Sequence, residues 1–190
     1  MSFVVSPDAY GRYMGRYAEP LAEVFGAFAG IAAGTTVLDV GCGPGALTAH
    51  LRSVGAQVSA IDPSPPFVAA IGERFPDIDV LTGTAEELPY DAASFDAALA
   101  QLVVHFMSNP VVGISQMARV TRPGGVVAAC VWDGPTGALA PFWDAVHVID
   151  PDAQDEALLS GAHQGHLTEI FEAAGLGDVH EDAIAIDVVH

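Results

Sequence analysis

Thr36-Val37-Leu38-Asp39-Val40-Gly41-Cys42-Gly43-Pro44-Gly45-Ala46-Leu47-Thr48 is the stretch on which the reading of this chain turns. Its first half is a short apolar run with β-branched residues, the composition of a buried parallel strand. Its second half is a glycine turn that opens a helix at about Ala46. Gly41, Gly43 and Gly45 carry no Cβ, so they allow a tight turn and close approach of a ligand to the backbone. Free N–H groups at the helix start then face that ligand. The stretch reads as a strand–loop–helix cofactor cradle.

A glycine turn alone is a weak signal, and Gly41-x-Gly43-x-x-Ala46 satisfies the loose dinucleotide fingerprint. A nicotinamide-dependent oxidoreductase therefore stays in view. Asp39 argues the other way, because a carboxylate at the strand end repels a pyrophosphate and suits a cationic ligand. Asp62 lies 21 residues past Gly41. That spacing suits hydrogen bonds to ribose hydroxyls at the tip of the second strand.

Working outward, the pattern alternates. Strands are expected at 36–40, 57–61, 79–81, 95–100 and 126–131, with a sixth at 179–189. Helices are expected from Pro20 to about Ile31 and at 46–54, 64–75, 110–121 and 167–174, and Pro123-Gly124-Gly125 reads as a turn. Such alternation with apolar strands implies an α/β fold, a doubly wound, mainly parallel Rossmann-like sheet with helices on both faces. Ligands in such sheets bind at the carboxyl ends of the strands, and every motif quoted in this subsection is expected at such an end.

The chain of 190 residues is long enough for one domain with a substantial core. It divides into an N-terminal arm and helix (1–34), a cofactor-binding core (35–132), a possible substrate-covering insertion with an acidic stretch (133–162), and a last helix and strand (163–190). The formal charge is −18 and lysine is absent. Six arginines and twelve acids through Arg122 give −6, whereas residues 123–190 carry twelve acids and no base, giving −12. Such a surface repels nucleic acid and anionic membranes. The missing lysine excludes a Schiff base and a Walker-type loop. Cys42 and Cys130 stand at neither metal nor redox spacing, which reads as two reduced thiols. With no signal peptide or membrane span in the pattern, a cytoplasmic location is expected. His163 and His166 share a helix face but lack a third ligand, so no metal is expected.

Taken together, Leu38–Gly45, Ile61-Asp62-Pro63-Ser64, Ala85-Glu86-Glu87-Leu88-Pro89, Ser94-Phe95-Asp96 and Arg122-Pro123-Gly124-Gly125 resemble the class I S-adenosylmethionine-dependent methyltransferases of small-molecule type, over roughly residues 10–133. The resemblance implies S-adenosyl-L-methionine as cofactor, S-adenosyl-L-homocysteine as product and a small-molecule acceptor. It places Gly41, Cys42, Gly43 and Gly45 around the methionine part, with Asp39 toward its ammonium and Gln101 and Leu102 beside it. It gives the ribose to Asp62, next to Pro63, and the adenine edge to Ala85. The acid usual just before that alanine is Thr84 here, with Glu86 nearby as a second contact or a helix cap. Arg16, in an aromatic arm with Tyr10, Tyr13 and Tyr17, would lie near the cofactor carboxylate.

Methyl transfer from a sulfonium is an in-line displacement in which the donor carries its own activation. No nucleophile or metal is required, and a general base helps only where the acceptor has a proton to lose. His105, a few residues past strand four, is the one candidate for that base; a packed histidine is the other reading of it. Members of the resembled family usually end with a seventh, antiparallel strand, for which the chain after Asp178 is too short. The expectation is a truncated form with an open sheet edge, prone to self-association. A non-catalytic cofactor-binding module is a further alternative.

Overall fold

The computed structural model describes residues 7–134, 137, 140–153, 155 and 159–187, with the backbone alone at 7–13 and 141. Strands β1 (Thr36–Val40), β2 (Gln57–Asp62), β3 (Asp79–Thr82), β4 (Phe95–Gln101) and β5 (Thr121–Cys130) form one sheet in the order β3-β2-β1-β4-β5, every pair parallel. The helices are α1 (Pro7–Phe28), α2 (Ala46–Ser53), α3 (Pro65–Arg74), α4 (Pro110–Val120), α5 (Ala140–Ile149) and α6 (His166–Ala173). Strand order reverses between β1 and β4, so the crevice of a doubly wound sheet opens beyond their carboxyl ends.

Period-two alternation assigns the two faces of β1. Val37 packs with Ala97 and Leu99 against Leu21, Ala22 and Phe25 of α1 and Leu47 and Leu51 of α2. Leu38 and Val40 pack with Ala98 and Ala100 against Ile114 and Met117 of α4 and Ile170 and Phe171 of α6. On β2, Ala60 joins Ile71 of α3 in a smaller cluster. Helices thus cover both faces of the central strands, and β1 and β4 are largely apolar because neither of their faces meets water.

Four expectations need correction. The first helix does not start at Pro20 but runs through it, 22 residues in all. Pro20 has no N–H to give the carbonyl four residues back. The stripe Ala18, Leu21, Ala22, Phe25 and Ala29, buried at helical spacing, outweighs that loss.

Second, β5 begins at Thr121, not Val126. Phe95 pairs with Thr121 and Ala97 already with Val126, so Arg122-Pro123-Gly124-Gly125 bulges out of the ladder around Gly124 at φ +75°. The expected turn at Pro123-Gly124-Gly125 is thus an irregularity within β5 rather than a turn that precedes it.

Third, two motifs lie at amino ends of strands, away from the crevice. Asp96 opens β4, where its carboxylate accepts from the Thr36 amide at 2.8 Å and from Arg122 at 2.8 Å. Those bonds hold its carboxyl below the usual range, the Thr36 amide foremost. Ser94-Phe95-Asp96 and Arg122–Gly125 therefore tie strand starts together.

Fourth, residues 179–187 form no strand, and 188–190 lie outside the described residues. Ile184 and Ile186 are half-buried between exposed neighbours, the alternation that reads as a strand. Leu176 and Val179 pack on the α4–α6 face, but Ile184 and Ile186 pack on the α1–α2 face. A segment that passes from one face of the sheet to the other meets its apolar demand without joining the ladder.

Candidate functional site

A cavity of about 130 Å³ opens at the carboxyl ends of β1 and β4. From β1 and the loop to α2 it receives Asp39, Gly41, Cys42, Gly43 and Pro44, and from the end of β4 it receives Gln101 and Leu102. Gly15, Ala18 and Glu19 of α1 and Arg74 of α3 complete the lining relevant here.

The three loop glycines do different work. A Cβ on Gly41 would lie 2.5 Å from one Val103 methyl, and Gly41 sits at φ +71°. At Gly45 it would meet Ile71 at 3.3 Å and Phe75 at 3.6 Å. These two let the loop pack on its neighbours. Only Gly43 faces open space, with nothing within 4 Å of a Cβ, and it is the one that leaves room for a ligand.

Asp39 is 1% exposed, and its carboxylate accepts from the Thr48 hydroxyl in the first turn of α2 at 2.5 Å. Burial pushes its carboxyl up to about 7, the Thr48 bond opposing and the Asp62 charge adding. Asp62 is buried too. One carboxylate oxygen accepts from the Gly43 amide and the other from the Ser64 amide, each at 2.8 Å. Burial raises its carboxyl against the pull of those amides. Asp62 thus pins the glycine loop, and each of its oxygens keeps a second lone pair. Cys42 is buried in the loop, and burial raises its thiol far above the ordinary range.

Gln101 donates its amide to the Ala18 carbonyl at 2.9 Å, tying β4 to α1. Its Oε1 is buried with no hydrogen-bond partner, and Gln101 is among the residues that line the cavity. An orphaned acceptor of this kind costs on the order of 1–3 kcal/mol until a donor arrives. Leu102, also in the lining, holds φ +61°, a left-handed conformation rare for leucine and typical of ligand sites.

The other expected residues stand apart from this cavity. Arg16 is exposed on α1 and does not line it. Pro63 follows β2 and is exposed, and Thr84, Ala85 and Glu86 follow β3, with Ala85 buried. Glu86 accepts from the Ser108 amide at 2.7 Å and the Asn109 amide at 3.2 Å, fixing the entry to α4. His105 sits in a 3-10 turn, Val104–Phe106, its ring 4.1 Å from that of Phe106. Burial lowers its pKa to about 4, so it is neutral at ordinary pH. Sequence reasoning missed Glu19 and Arg74. Neither belongs to a motif, and only the packing of α1 and α3 around the loop brings them to the cavity.

Comparison with known proteins agrees with this fold. The family model for a methyltransferase domain matches residues 38–129, from β1 to β5. The demethylmenaquinone methyltransferase of Mycobacterium sp. (strain KMS) is 36% identical over 166 residues, 79% of this chain and 71% of the relative. Malonyl-[acyl-carrier protein] O-methyltransferase of Salmonella typhimurium is 37% identical over 112 residues, 58% of this chain and 45% of that protein. The match spans about half the length, or less, of several other curated relatives. Among solved structures, a SAM-dependent methyltransferase of Thermotoga maritima superposes with a TM-score of 0.67 at 19% identity, over 90% of this chain and 78% of its own, a likeness of fold. Motifs, sheet order and relatives converge, and the chain belongs to the class I S-adenosylmethionine-dependent methyltransferases.

Proposed function

We propose that this chain binds S-adenosylmethionine in the β1–β4 crevice and transfers its methyl group to a small-molecule acceptor. What carries the reading is that one cavity is lined both by Asp39, a buried carboxylate, and by Gln101, whose buried Oε1 has no hydrogen-bond partner. Both are acceptors, so the cavity fits a cationic donor such as an ammonium and opposes a phosphate. Asp62 offers its remaining lone pairs to ribose hydroxyls, and Gly43 leaves room beside the loop. When bound, the cofactor supplies an activated methyl. The chain's residues orient it, hold its ammonium and exclude water.

Titration calorimetry with S-adenosylhomocysteine and with NAD tests this. The homologous product is expected to bind and NAD not. Tighter binding of NAD would favour the oxidoreductase reading instead. Binding of the product with no transfer to any acceptor would leave a cofactor-binding module.

Where the acceptor has a proton to lose, His105 is the proposed base. Its lowered pKa keeps it unprotonated above about pH 5. His105→Ala is then expected to lower kcat by about 10²-fold while cofactor affinity stays nearly unchanged. Equal loss in both, or in neither, assigns the histidine to packing. As for partners, the −12 carried by residues 123–190 argues against nucleic acid, and β5 at the sheet border is the proposed route of self-association. Among the described residues no helix is long and apolar enough to cross a membrane. Retention of a labelled duplex at low salt, or a monomer at all concentrations by light scattering, would contradict these partner readings.

A further inference from the structure

Arg74 is the last residue of α3, and it lines the cavity together with Glu19 of α1. It has no hydrogen-bond or ion-pair partner among the described residues. In a chain with 24 acids and six bases that is unusual. Arg52 is bonded through two nitrogens to Asp77, at 2.7 and 2.9 Å. Arg122 pairs with Asp96, and Arg119 donates to the carbonyls of Leu88 and Tyr90. Arg74 lies over the Phe75 ring, its guanidinium carbon 4.9 Å from the ring centre, the same distance as that of the Asp77-paired Arg52. Phe75 and Ile71 in turn abut Gly45, so the platform under the guanidinium is fixed to the glycine loop. A guanidinium with a planar support, an open side and a cavity before it is arranged for a carboxylate or a phosphate. The Asp39 carboxylate in the same cavity disfavours the more highly charged phosphate.

We propose that Arg74 binds the carboxylate of the methionine part of the ligand, while Asp39 and Gln101 hold its ammonium. The proposal rests on the cofactor reading given above and extends it to a residue outside the glycine motif. The cavity then recognises a zwitterion, with acceptors for the ammonium and a cation for the carboxylate. Arg16, which the family resemblance nominates for that carboxylate, lies on the exposed side of α1 and does not line the cavity.

Calorimetry with S-adenosylhomocysteine and with its decarboxylated analogue tests the proposal on wild type, Arg74→Gln and Arg16→Gln. Arg74→Gln is expected to weaken S-adenosylhomocysteine about 10-fold, the loss of one charge-assisted contact. The analogue is expected to bind Arg74→Gln and wild type within about twofold of each other. Arg16→Gln is expected to have the smaller effect on S-adenosylhomocysteine. If Arg74→Gln binds S-adenosylhomocysteine as wild type does, or loses both ligands equally, Arg74 does not hold the carboxylate and the cofactor reading still stands. If wild type binds no S-adenosylhomocysteine, both fall.

Discussion

Gly41→Ala is expected to destabilise the fold by about 2–5 kcal/mol and to displace the ligand loop. A left-handed alanine costs about 1–2 kcal/mol, and overpacking typically adds about 1–3. Both costs apply at Gly41, because its φ is +71° and a Cβ would come within 2.7 Å of both Val103 methyls. The loop cannot simply move aside. The Gly41 amide donates to the Ile61 carbonyl at 2.8 Å, and the Gly43 amide to Asp62. Gly43→Ala, with φ +52° and open space around it, is expected to cost only about 1 kcal/mol of stability. Denaturant unfolding measures both. A Val103→Ala substitution added to Gly41→Ala is expected to recover part of the loss by removing the two methyls. A Gly41→Ala variant as stable as wild type would contradict the packing argument.

Asp39→Asn is expected to separate binding from stability. The ordinary aspartate value is 3.8 and burial raises Asp39 to about 7. Between those values the folded chain keeps a proton that the unfolded chain has released. This contribution to stability is full below about pH 4 and is lost as the pH rises through 7, a span on the order of 4 kcal/mol. Asparagine keeps an acceptor for the Thr48 hydroxyl and removes the titration. The variant is therefore expected to match or exceed wild-type stability at pH 8, and to lose this part of the pH slope. Its affinity for S-adenosylhomocysteine is expected to fall by about 2–4 kcal/mol, roughly 30- to 1,000-fold, since the ligand's ammonium loses its buried counter-charge. In wild type, a bound ammonium expels the Asp39 proton. Affinity should rise with pH up to about 7 and then level, with close to one proton released per ligand at pH 6. Calorimetry in buffers of different ionisation enthalpy measures that release. No proton release at pH 6, or unchanged affinity in Asp39→Asn, would contradict the assignment.

The five parallel strands and the cradle around Asp39 were legible because they are local. An apolar run followed by glycines specifies a strand, a turn and a helix start within thirteen residues. The spacing of Asp62 gave its position at the end of the second strand but not its bonds to the Gly43 and Ser64 amides, which fix the loop. The course of α1 was hidden because the proline penalty is local while the packing of Leu21 and Phe25 on α2 is not. Residues 179–187 misled because alternation reports which side chains are buried and not whether the backbone finds a ladder. Ser94-Phe95-Asp96 belonged to the family pattern yet serves the far end of the sheet, since a motif records constraint without saying of what kind. Arg74 and Glu19 carried no signal at all, because the cavity that joins them is assembled from α1, α3 and the loop after β1.

A crystal structure with S-adenosylhomocysteine tests the central claim most directly. The account predicts the ligand in the β1–β4 crevice, with its amino group in hydrogen-bond contact with Asp39 and the Gln101 Oε1 and its ribose hydroxyls on Asp62. A ligand bound elsewhere, or one in the crevice that leaves Gln101 Oε1 without a donor, would contradict it.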